Sequence, residues 1–162
     1  MRAALTAVVL LAFALPLWMP VGEAQDAKAK SVERYENLKE YYRTYWAYHE
    51  ANFQKAGRES PRSWQDLLDA GLRPSVKKFF DDNEFAVVFG LKFHELKNGT
   101  SEVMLAYSTK AVQIGPQQFG RIALFMDGHV GGMDDEEFKA SQKILEPYLK
   151  KAVVQLPPKS AR

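Results

Sequence analysis

The sequence predicts an α+β domain: a long N-terminal helix packed on a small antiparallel β-sheet, with a C-terminal helix closing it. Three observations carry this. Apolar side chains recur three or four apart from Val32 to Phe53, the spacing of one helix face. Phe85, Val87, Phe89, Leu91 and Phe93 alternate with Ala86, Val88, Gly90, Lys92 and His94, the period of a strand with one face on a core. The stretch GRIALFMDGHVGGMDDEEF, Gly120 to Phe138, reads as strand, tight turn, short return strand and helix start. A sheet with one apolar face needs a cover, and the Val32–Phe53 stripe is the only long apolar surface able to supply it.

A chain of 162 residues fits one domain. With 22 basic against 20 acidic residues the net charge is +2. No clustered basic excess marks a nucleic-acid binder, so no nucleic-acid partner is expected. Cysteine is absent, which excludes disulfides, a thiol nucleophile and thiolate metal sites.

Residues 1–24 read as a signal peptide or an N-terminal anchor. Met1-Arg2 supplies a small positive end, Ala3 to Gly22 carries no charge, and Ala7 to Leu17 has the length of a signal-peptide apolar region. Gly22 and Ala24 place small residues at −3 and −1 of a cut before Gln25. Uncut, the twenty uncharged residues could just span a bilayer, so a membrane is a partner only in that case. Pro16, Pro20 and the many alanines favour cleavage. Either way the rest of the chain is expected to be exported, to the periplasm, the envelope or the medium.

Gln25–Lys30, small, polar and alternately charged, reads as a linker, and residues 31–154 as the folded domain. Ser31 is the expected cap of the long helix, whose stripe runs Val32, Tyr35, Leu38, Tyr42, Tyr45, Trp46, His49 and Phe53, with Gly57 as its end. Tyr42, Tyr45, Trp46, His49 and Phe53 are expected on its buried side, facing Phe85, Val87, Phe89 and Leu91 of the sheet, with Leu105 and Leu124 beside them. Ser63 and Asp66 form a capping pair for a short helix with Trp64, Leu67 and Leu68 inward, closed by Gly71 and stopped by Pro74. Asp81-Asp82-Asn83 marks a turn before the alternating strand. Lys97-Asn98-Gly99-Thr100 is a hairpin loop, and Glu102 to Ser108 returns with Val103, Leu105 and Tyr107 on one face. Gly115-Pro116 marks the next turn. Asp127-Gly128 then predicts a type I′ turn, with positive φ at both central positions. Gly131-Gly132 ends the return strand, and Asp134 with Glu137 forms a capping box. Pro147 should kink or restart the last helix, and residues 155–162 read as a loose tail.

The chemistry-bearing residues have simpler structural explanations. The three histidines, His49, His94 and His129, show no ligand spacing and no HExxH. His49 is expected as an interior, hydrogen-bonded residue, and His94 as solvated on the polar side of its strand. Asp127, Asp134 and Asp135 offer hard oxygen ligands for calcium, but a turn and a cap account for Asp127 and Asp134, and EF-hand spacing is absent. Ser108, His129 and Asp127 can be assembled on paper as a nucleophilic triad, yet no serine stands in a GxSxG elbow. Asn98-Gly99-Thr100, formally a glycosylation sequon, reads better as a turn. No catalytic residue, cofactor-binding residue or metal ligand is therefore assigned. Asp127, Gly128, His129 and Val130 are expected as a structural motif.

Two stretches carry a family resemblance. AYHEANFQKAGRESPRSWQDLLDAGL, Ala47 to Leu72, resembles the end of the long helix of pilin-like proteins and the short helix after it. IALFMDGHV, Ile122 to Val130, resembles the DGHV hairpin of bacterial prepilin-like proteins of the planctomycete type. The order of helix, antiparallel sheet and hairpin also matches, over roughly Tyr35 to Phe138. The chain departs from that family in lacking its Gly-Phe-Thr-Leu-Ile-Glu leader junction and in carrying Gln117 where the family signature has a histidine. The resemblance implies a pilin-like or pseudopilin-like fold and no catalytic residues. The leading expectation is a non-enzymatic exported domain with a structural or protein-interaction role at the cell envelope, its partner an envelope protein. The alternatives are a secreted or periplasmic hydrolase and a small calcium-binding module.

Overall fold

A computed structural model describes residues 21–55, 57–97, 99–115 and 118–158. The leader expectation up to residue 20 lies outside these, as do Asn98, Pro116, Gln117 and the end of the tail from residue 159. Among the described residues no helix is long and apolar enough to cross a membrane.

The fold is α+β: a long helix, a six-stranded antiparallel sheet and a C-terminal helix, with two further short helices. Helix α1 spans Val21–Asn52. It therefore runs through Gln25–Lys30, where a linker was expected, and begins well before Ser31. Alanine and lysine are strong helix formers, and the segment contains no glycine or proline to stop the helix. Helix α2, Trp64–Asp69, starts as expected, with the Ser63 side chain accepting from the Asp66 N–H.

Helix α3, Pro74–Asp82, replaces the expected loop and turn. Pro74 opens it instead of ending its predecessor, because the first helical turn has no N–H to lose. Val76, Phe79 and Phe80 form its buried face. Glu84, with φ 54°, then turns the chain into the sheet.

The strands are β1 Phe85–Phe89, β2 Met104–Ser108, β3 Val112–Gly115, β4 Gln118–Phe125, β5 Val130–Met133 and β6 Val153–Gln155. The sheet order is β3-β4-β2-β1-β6, with β5 also paired to β4. Strand β1 is buried along its whole length, not on one face as the alternation suggested. The strand also ends at Phe89; Gly90 takes a φ of +82°, and Phe93–Glu95 form a 3₁₀ turn that carries His94, exposed, off the sheet. Strand β6 holds Val153–Gln155 against β1; of these only Gln155 belongs to the expected loose tail.

Contacts on both sides of the sheet show why β1 has no wet face. Phe85 packs against Phe79 and Phe80 of α3, and Phe89 against Trp64 of α2. Tyr107 lies opposite Ala86 and so points to the other side of the sheet, where it meets Phe138 of helix α4, Asp135–Leu145. Directly opposed residues share a face, so α2 and α3 cover one face and α4 the other. The Asp134–Glu137 capping box starts α4 as expected, and Pro147 restarts the chain as the 3₁₀ turn Glu146–Tyr148.

Helix α1 reaches this core mainly through α2 and α3. Its fully buried residues are Leu38, Tyr41 and Tyr45, and Tyr41 packs on Trp64 and Phe80. The buried face is therefore turned from the expected one. Tyr41, absent from the predicted stripe, lies at its centre, whereas Trp46 and Phe53 are 38% and 56% exposed. Both rows have helical spacing; only the wedge of α3 between α1 and the sheet selects one.

Candidate functional site at the Asp127–His129 turn

The DGHV motif forms the β4–β5 connection. The Phe125 N–H donates to the His129 carbonyl at 3.0 Å and the Gly128 N–H to the Phe125 carbonyl at 2.9 Å. Only Gly128 has positive φ, at +85°. The loop is thus a three-residue hairpin turn with a left-handed glycine forming a bulge, not the expected two-residue type I′ turn. Gly131 and Gly132 lie inside β5, paired with Ala123 and Ile122, instead of ending it. A Cβ on Gly132 would meet Ile114 Cβ at 3.0 Å, so the glycine lets β3 pack across β5.

Asp127 organises the turn. Its Oδ1 accepts from the His129 backbone N–H at 3.0 Å and lies 2.6 Å from His129 Nδ1. A carboxylate only accepts, so Nδ1 carries the proton and Nε2 is left for solvent. The imidazole stacks on Phe125, ring centroids 4.1 Å apart and planes 9° from parallel. From α1, Lys39 Nζ donates to the Gly128 carbonyl at 2.8 Å and the Tyr42 ring covers Gly128. Burial, and secondarily the Asp127 carboxylate, push the Tyr42 phenol above its ordinary pKa. Through these contacts the turn docks one end of the sheet onto α1.

An Asp–His pair alone does not make a nucleophile. Ser108, the serine of the paper triad, is 1% exposed, and its Oγ accepts from the Ile122 N–H at 3.0 Å. Ile122 stands three residues back along β4 from Phe125, on which His129 stacks, about 10 Å of strand away. The structure does not bring the three together. Asp134 and Asp135 also stand apart from Asp127 in role: Asp134 Oδ1 accepts from the Glu136 and Glu137 N–H groups as a helix cap. Among the described residues no group of three or more metal-ligating side chains converges.

His49 is half-buried on the flank of α1, not interior as expected, although its Nδ1–H makes the expected kind of hydrogen bond, to the Glu59 carbonyl at 2.7 Å. Its ring lies 4.7 Å from that of Phe93, which Trp46 also meets edge-on at 4.6 Å. These rings form an aromatic patch on the exposed flank of α1.

Beside the turn a shallow groove of about 350 Å³ runs across the sheet face. Phe125, His129 and Gly131 floor it, and Glu137, Ser141 and Ile144 of α4, one face by their helical spacing, wall it. Glu102 stands at the end next to β2. The Gly131-Gly132 pair is the sequence signal for this groove, and its place is inside β5, not at the expected strand end. No family model, curated protein or solved structure matches the chain.

Proposed function

We propose that this chain is an exported, non-enzymatic, pilin-like domain with a structural or protein-interaction role at the cell envelope. The observation carrying this reading is that α1 has two apolar rows. Leu38, Tyr41 and Tyr45 face the protein's own core. Val32, Tyr35, Trp46 and Phe53, at 55%, 46%, 38% and 56% exposure, face outward. Exposed apolar rows of this kind mark interaction surfaces. These residues share one side of the helix as two patches, Val32 with Tyr35 and Trp46 with Phe53, on either side of Lys39 and Tyr42, which dock on the Gly128 turn. The Asp127–His129 turn fits the same reading, because its contacts go to its own backbone, to Phe125 and to α1 rather than to a nucleophile.

The test is to recover the protein from cells, fractionate it and sequence its N-terminus. The reading expects an exported protein starting at Gln25, or an intact chain held in the envelope. In the form starting at Gln25, Trp46→Ala and Phe53→Ala together should release it from the envelope fraction while it still melts as one cooperative fold. Recovery of the intact chain from the cytoplasm, or retention in the envelope of the double variant starting at Gln25, overturns the reading.

A further inference from the structure

Strand β5 has a free edge. Among the described residues it pairs only with β4, in the register Arg121↔Met133, Ile122↔Gly132, Ala123↔Gly131 and Leu124↔Val130. The Phe125 N–H to His129 O bond closes the hairpin. In an antiparallel ladder hydrogen-bonded pairs alternate with non-bonded ones. Gly131 and Met133 therefore spend their N–H and C=O groups on β4, while those of Val130 and Gly132 point outward. Edges of this type are normally blunted by a lysine, a proline or a covering element. The Val-Gly-Gly-Met sequence of β5 carries none of these side chains, and Gly132 is exposed.

The groove opens at this edge. Gly131 leaves its floor empty: a Cβ there would have ordinary room, 3.7 Å from the Phe125 ring and 3.9 Å from that of His129. The lining is acidic. Glu102 and Glu137 stand on it, and neither forms an ion pair among the described residues. The remaining titratable group there, His129, is already matched to Asp127.

We propose that the outer edge of β5 receives an extended, basic peptide strand from a partner protein, with one lysine or arginine side chain entering the groove over Gly131. The guest backbone pairs with Val130 and Gly132, which supplies main-chain hydrogen bonds without sequence preference. Selectivity comes from the groove: a long cationic side chain lies along the stacked Phe125–His129 rings, between Glu137 and Glu102. The proposal adds a second partner surface to the one on α1, and it holds wherever the protein resides.

The test uses the full chain and two synthetic peptides, acetyl-Thr-Val-Thr-Lys-Val-Thr-amide and its glutamate counterpart. The lysine peptide should slow amide hydrogen exchange at Val130 and Gly132 by about tenfold, with smaller changes at Gly131 and Met133, whose amides are already bonded. It should bind about fivefold more tightly than the glutamate peptide, the upper end for a partly exposed ion pair. Gly131→Val fills the groove at a position with ordinary backbone and room for a Cβ. It should remove the lysine preference while keeping the edge protection, and Glu102→Gln should reduce that preference. Unchanged exchange at Val130 and Gly132, equal binding of the two peptides, or an undiminished preference in Gly131→Val overturns the proposal. None of these variants touches α1, so their failure is distinguishable from failure of the α1 reading.

Discussion

The ring of Tyr42 fills the place where Gly128 would carry a side chain: an added Cβ would fall 2.5 Å from Tyr42 Cε1. Gly128 is constrained twice, by this contact and by its φ of +85°. Gly128→Val should destabilise by about 1–3 kcal/mol from backbone strain alone, with the clash adding to it. In a Tyr42→Ala background the clash disappears and the strain stays, so the two substitutions should be non-additive. Thermal melts of the four proteins in the cycle check this; strict additivity would show that the ring does not rest on the turn.

Tyr41 and Tyr45 are both fully buried, yet only one uses its hydroxyl. Tyr45 donates to the Leu91 carbonyl at 3.0 Å, where the Ser60 hydroxyl also donates. The Tyr41 hydroxyl is buried without a partner among the described residues. Tyr45→Phe should cost about 1 kcal/mol, the typical worth of a buried hydrogen bond, and Tyr41→Phe should be neutral or stabilising. Urea denaturation measures both, and equal losses would contradict the assignment.

The two rows of α1 predict different costs of truncation. Leu38→Ala removes a fully buried side chain and should destabilise by about 2–5 kcal/mol. Trp46→Ala loses its edge-on contact with Phe93, about 0.5–1.5 kcal/mol beyond the area it buries, and with the residue already 38% exposed the total should stay below the loss at Leu38. Phe53→Ala should change stability by less than about 0.5 kcal/mol. A loss at Trp46 matching that at Leu38 would return Trp46 to the core.

Acid should act most strongly through Glu59. Backbone N–H groups of Glu59 and Gly57, with Lys92 beside them, hold its carboxyl down to about 2 from an ordinary 4.5. The folded state therefore binds this proton more weakly than the unfolded chain does. The stabilisation is complete above about pH 4.5 and is lost as pH falls toward 2. Glu40, hydrogen-bonded by Arg73, and Glu95, hydrogen-bonded by Lys151, shift in the same direction. Glu59→Gln should flatten the fall of melting temperature across that window; an unchanged acid limb would remove Glu59 as a contributor.

What could be read from the residues was what local chemistry decides alone. The Ser63 and Asp134 caps, the glycine turn at Gly128 and the existence of the main strands all follow from short-range hydrogen bonding and backbone freedom. What could not be read depended on partners distant in the chain. Pro74 has the same local meaning as a stop or a start, and only the seating of Phe79 and Phe80 on Phe85 selects the start. The alternation in β1 was real but uninformative, because Ala86 and Val88 are themselves apolar and a second helix covers their side. At the turn, the Asp127–His129 pair was visible as residue types. That Ser108 does not join it followed only from placing Ser108 inside the sheet, and its docking role only from placing Lys39 and Tyr42 over Gly128.

The pairing of β6 with β1 sets an order of events. Strand β1 lies between β2 and β6, and its partners Val153–Gln155 stand some 65 residues later in sequence. A chain emerging N-terminus first, from a ribosome or through an export channel, exposes one edge of its most buried strand until those residues arrive. Helices α1 to α3 and the β1–β2 pair can assemble meanwhile, but the sheet stays unclosed. The arrival of β6 thus acts as the latch on the domain, and a chain cut just before Val153 leaves β1 as an aggregation-prone edge of the sheet.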